Sequence, residues 1–124
     1  DPSDRLLIRT LLEGSGLRVE EAPGGAEALA VLERENQVGV MVLDLKMPEM
    51  DGREVLREVR RSFRTYALPV VVLTSSGELD DEIALLEAGA DDFVQKPVDP
   101  RRLVARIRAA TRRSGPLRRV GEGG

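Results

Sequence analysis

Two spacings of apolar residues alternate along this 124-residue chain: one recurs every three to four positions, and the other is nearly unbroken. Residues 3–13 place Leu7, Leu11 and Leu12 on one face behind a Ser3 or Asp4 cap, which predicts a helix ended by Gly14 and Gly16. Residues 17–22 predict a short strand, closed by a Pro23-Gly24-Gly25 turn. Ala26, Leu29, Ala30 and Leu32 make residues 26–35 a second helix. The run VGVMVL over residues 38–43 has no polar alternation, the mark of a strand covered on both faces. A helix over 52–62 follows, with Val55, Leu56 and Val59 as its inner stripe.

The second half repeats the alternation. Pro69 precedes the apolar strand 70–73, and residues 79–88 form a helix carrying Leu79, Ile83, Leu86 and Ala88, stopped by Gly89. Phe93-Val94 is a brief strand before Pro97, and 100–113 is a last helix with Leu103, Val104, Ile107 and Ala110 inward. Gly115-Pro116 opens a polar segment, so residues 1–113 read as one domain and 114–124 as a linker or tail. Strands alternating with helices predict a parallel sheet with helices on both faces. Such sheets bind ligands beyond the carboxyl ends of their strands. Three polar residues fall there: Asp44 after VGVMVL, Thr74 after VVVL and Lys96 after FVQ. Each alone is an ordinary turn or strand-end residue, and Lys96 with Asp44 an ordinary ion pair. Together they put a carboxylate, a hydroxyl and an ammonium on one rim.

Composition narrows what that rim can do. With no Cys and no His, thiol and Ser-His-Asp catalysis are excluded, along with the usual zinc sites. A metal here must be a hard cation held by oxygens, such as magnesium. The formal charge of −3 conceals eight arginines and no acid in residues 101–119, read as a solvated helix face and tail. One Tyr and two Phe are too few for a base-stacking platform, so direct nucleic-acid binding is not expected. No apolar run reaches membrane-spanning length.

A carboxylate without His or Cys beside it can bind a metal, act as a base or act as a nucleophile. A neighbouring Lys favours its ionised form and can hold an incoming anion, and a Thr hydroxyl adds a hydrogen bond. The trio suits a carboxylate that receives a phosphoryl group.

VLDLKMPEMDG, LTSSGE and DDFVQKPV, in this order and spacing, resemble the receiver domain of bacterial two-component response regulators. The resemblance implies a doubly wound, flavodoxin-like α/β fold with a five-stranded parallel sheet in the order 2-1-3-4-5. It implies that Asp44 is the phosphoacceptor, that Thr74 and Lys96 contact the phosphoryl group, and that Phe93 is the aromatic that turns inward when Thr74 shifts. Mg2+ would be held by Asp44, by the backbone carbonyl of Lys46 and by an acidic pair. Asp1 matches the third acid of the family's D/E-D-D/E-P run, so the first strand and that pair are expected to precede residue 1. Lys96-Pro97 is expected to be cis. Lys46 and Ser76, each two residues beyond a site residue, are expected to tune the lifetime of the phosphorylated state. The implied partner is a sensor histidine kinase or phosphotransfer protein, in the cytoplasm. Independently of the resemblance, the acids Glu78, Asp80, Asp81, Glu82 and Glu87 near one edge and the arginines of the last helix near the other could pair across a homodimer through the 79–113 face, or equally be intrachain or solvated charges. Two other readings stay open. One is a receiver-like interaction module that is never phosphorylated. The other is an aspartyl-phosphate phosphatase, which Lys46 disfavours by standing where such enzymes carry a second Asp.

Overall fold

The structure is a computed structural model that describes residues 2–17, 19–20, 22, 24–34, 38–45 and 51–123, with side chains described from residue 6 to 112. Its elements are α1 (Pro2–Gly14), α2 (Gly25–Arg34), β1 (Met41–Asp44), α3 (Gly52–Arg61), β2 (Val70–Thr74), α4 (Leu79–Ala88), β3 (Asp92–Gln95) and α5 (Pro100–Gly123). Among the described residues the sheet has three parallel strands in the order β1-β2-β3.

Side chains of successive strand residues point to opposite faces, so β2 divides its valines between two cores. Val70 and Val72 pack with Met41, Leu43, Leu32 of α2, Val55, Leu56 and Val59 of α3, and Leu85 of α4. Val71 packs instead with Val94, Leu12 of α1, and Leu103, Val104 and Ile107 of α5. Both faces of the sheet are therefore covered, which is why β2 needs no polar alternation. The inner stripes expected of α3 and α5 are the ones observed.

Several features differ from the sequence expectation, beginning with β1, which starts at Met41 and leaves residues 38–40 of the expected strand outside it. The described residues within 17–22 are not in a strand. In the 2-1-3-4-5 order that segment pairs only with the first strand, and no such strand lies beside it among the described residues, so its backbone has no ladder to join. In α1 the stripe facing α5 is Ile8, Leu11 and Leu12; Leu7, at the edge of that stripe, is exposed. In α4 the buried residue is Leu85, whereas Leu79, Ile83 and Leu86 face solvent. Finally, α5 continues to Gly123 rather than ending near 113, since extending an existing helix needs no new nucleus.

The amino end of the sheet is held by Arg60. Its guanidinium donates to the carbonyls of Gly89 (2.9 and 2.6 Å), Leu68 (2.6 Å) and Tyr66 (3.0 Å), and to Asp91 Oδ2 (2.9 Å). The same Asp91 oxygen accepts from Val70 N at 2.7 Å, while Asp91 N donates to the Val70 carbonyl at 2.9 Å. One planar side chain thus satisfies loop carbonyls that enter β2 and leave α4. Gly89 ends α4 with φ 116°, and a Cβ there would lie 2.8 Å from Arg60 Cγ.

A candidate phosphoacceptor site at the carboxyl ends of the strands

The strand register brings the three rim residues together. Asp44 closes β1 opposite Leu73, Thr74 closes β2 opposite Gln95, and Lys96 follows β3. Two backbone bonds extend the ladder past the strands: Leu45 N donates to the Leu73 carbonyl (3.2 Å) and Lys96 N to the Thr74 carbonyl (2.7 Å). Lys96 Nζ then donates to both Asp44 oxygens, at 2.8 and 2.9 Å. The Asp44 side chain is 41% exposed, so the pair is screened by water and the carboxylate stays open to a reactant. The Lys96-Pro97 peptide is cis, as expected.

Thr74 is the one buried polar residue of the described set. Its Oγ1 accepts from Ser76 N at 3.1 Å. Ser76 Oγ in turn donates to Asp81 Oδ2 (2.6 Å) and accepts from Glu78 N (3.1 Å). Phe93 lies in β3 opposite Val72, partly buried against the core shared by α2, α3 and α4. Lys46 and the rest of 46–50 lie outside the described residues, as does Asp1.

The Pro-Glu-Met-Asp-Gly stretch after the site ends in a helix start. Asp51 caps α3 by accepting from Arg53 N at 3.0 Å. Gly52 sits so close to the segment after β1 that a Cβ would fall 2.9 Å from Leu45 Cα and 3.3 Å from the Asp44 carbonyl oxygen. That backbone approach is why glycine follows the capping acid.

Sequence reasoning missed the bond between Ser76 and Asp81, Gly52's contact and the whole Arg60 cluster. Asp81 had a signal, an acid in the first turn of a helix beginning shortly after a serine. The Arg60 cluster had none, because a long-range bond to a carbonyl leaves no periodic trace.

A carboxylate and an ammonium beyond the carboxyl ends of parallel strands, between helices on both faces, define an α/β protein that binds its ligand at the sheet's rim. The family model for the response regulator receiver domain matches residues 1–108, and the chain belongs to that family. It is 39% identical over 112 residues to the phosphate regulon transcriptional regulatory protein PhoB of Pseudomonas aeruginosa, covering 90% of this chain and 48% of PhoB. The chain spans about half the length of the curated relatives it matches. A putative response regulator from Chloroflexus aurantiacus superposes with a TM-score of 0.81 at 32% identity, over 90% of each chain. The receiver domain of the sensor histidine kinase PA1611 of P. aeruginosa gives a TM-score of 0.78 at 25% identity, over 90% of each chain; its structure has magnesium coordinated in the active-site cleft. The fold is thus the flavodoxin-like receiver fold, and the chain is a signalling domain of two-component systems. No described helix is long and apolar enough to cross a membrane.

Proposed function

We propose that the chain is a phosphoacceptor switch that takes a phosphoryl group on Asp44 from a sensor histidine kinase or phosphotransfer protein in the cytoplasm. The observation that carries this reading is the half-exposed Asp44 carboxylate held by Lys96 Nζ on both oxygens, at the rim where receivers react. One Asp44 oxygen attacks phosphorus, the bond from phosphorus to the donor's nitrogen breaks, and the donor leaves with that electron pair. The product acyl phosphate is more negative than the carboxylate it replaces. Lys96, already within hydrogen-bond reach, follows that charge, and the Thr74 hydroxyl supplies a further donor.

Asp44 offers a hard oxygen ligand, and magnesium is commonly held by one or two carboxylates, waters and a phosphoryl oxygen. Among the described residues no group of three or more potential ligands gathers. Of the ligands that the resemblance implies, this chain supplies Asp44 and the Lys46 carbonyl. When bound, the ion would neutralise charge on the transferring phosphoryl group.

Phosphorylation would shift the balance between two forms of the 79–113 face. The exposed Leu79, Ile83 and Leu86 of α4 support a second copy as the partner there, with Phe93 following Thr74 inward. Lys46→Ala is expected to dephosphorylate faster than the parent by removing a cover over the group. Intact mass after incubation with acetyl phosphate tests the core of this reading. One added phosphoryl group with magnesium and none in excess chelator is the expected result. No addition under either condition returns the reading to an unphosphorylated interaction module.

A further inference from the structure

The far side of Thr74, away from Asp44, leads into α4. Glu78 occupies the N-cap position of that helix, yet its side chain makes no capping bond. The work is done from outside the helix by Ser76, whose hydroxyl accepts from the Glu78 N–H and donates to Asp81 in the first turn. In an ordinary capping box an acid in the first turn reaches the N-cap N–H directly. Here a serine hydroxyl stands between the two. The N–H of the same serine is bound to Thr74 Oγ1, so the start of α4 hangs on the orientation of one buried hydroxyl.

The two ends of α4 are held unequally. At its carboxyl end Gly89 N–H bonds back to the helix and the Gly89 carbonyl takes two bonds from Arg60. Toward the amino end Leu79 and Ile83 are exposed, and the only fully buried side chain of the helix is Leu85, one turn from Gly89. Packing therefore fixes the carboxyl half and leaves the first turn to its cap.

We propose that Ser76 is a positioning residue that couples Thr74 to the first turn of α4 through Asp81, so that drawing the Thr74 hydroxyl toward a phosphoryl group on Asp44 uncaps that turn while the Arg60–Gly89 end stays fixed. The trigger rests on the phosphoacceptor reading above; the hydrogen-bonded relay does not.

Hydrogen exchange read by peptide-resolved mass spectrometry on the full-length protein tests it. In unmodified protein, Ser76→Ala should exchange residues 79–83 roughly fivefold faster, the scale of one lost helix cap. Residues 85–95 should be unchanged, and Ser76→Thr, which keeps the hydroxyl, should restore protection. Acetyl phosphate with magnesium should then bring the parent's 79–83 segment to the Ser76→Ala rate and accelerate Ser76→Ala no further. Parent-like exchange in unmodified Ser76→Ala, or acceleration spread evenly over 79–95, overturns the relay. A parent that gains the phosphoryl mass without faster exchange at 79–83 overturns the coupling. A parent that gains no mass sinks the phosphoacceptor reading instead, while the unmodified comparison still decides the relay.

Discussion

The two ends of the β-sheet are built on opposite plans. At the amino end the Arg60 guanidinium, 21% exposed at the side chain, binds three carbonyls and Asp91, and Asp91 clasps Val70 through both backbone and side chain. At the carboxyl end a half-exposed carboxylate pairs with the Lys96 ammonium, and a buried threonine hydroxyl accepts from the Ser76 N–H. Bonds to partly buried carbonyls are costly to break together, because each carbonyl loses its protein partner. An exposed ion pair costs little to rearrange. The molecule thus has one end that resists change and one that can exchange partners when a new anion arrives, as a switch requires.

Substitutions at the two ends should therefore differ in kind. Arg60→Ala, which orphans carbonyls entering β2 and leaving α4, is expected to cost about 2–4 kcal/mol in denaturant unfolding. Where it remains folded it should still accept a phosphoryl group. A loss near zero would mean that the amino end is not stapled as described. Gly52→Ala is next, at about 1–3 kcal/mol, because its Cβ would meet the Leu45 backbone as well as the Leu45 side chain, and the backbone cannot yield as a side chain does. Since that backbone adjoins Asp44, slower phosphorylation should accompany the lost stability. Asp51→Ala should cost about 1 kcal/mol through the lost cap of α3, read as a shift in urea midpoint at constant slope. Lys96→Met inverts the pattern, with at most about 1 kcal/mol of stability lost from a screened pair but a large fall in phosphorylation rate. Smallest is Arg106→Ala, whose exposed bond to Asp92 should contribute under about 0.5 kcal/mol.

Much of this was legible in the sequence because burial writes a period into it. The unbroken VVVL of β2 predicted a strand covered on both faces, and Val70, Val71 and Val72 are fully buried against two separate cores. The shared rim of Asp44, Thr74 and Lys96 was legible for a related reason: Asp44 and Thr74 are the first polar residues after apolar runs, Lys96 follows Gln95 at the end of β3, and parallel pairing carries all three to one end of the sheet. Two local patterns were ambiguous. Residues 17–22 carry strand chemistry, but a strand forms only beside a partner. In α4, Leu79, Ile83 and Leu86 show a helical repeat as clear as that of α3, and only tertiary packing determines that Leu85 is the residue turned inward. Side chains that bond to distant backbone, such as Arg60 to Gly89, write no period at all.

Whether Asp44 is the acceptor can be read from the intact mass of the parent and of Asp44→Asn after acetyl phosphate with magnesium. Asn keeps the size of Asp while removing the nucleophilic carboxylate. One added phosphoryl group is expected on the parent and none on Asp44→Asn. Equal labelling of the two proteins would contradict that role for Asp44.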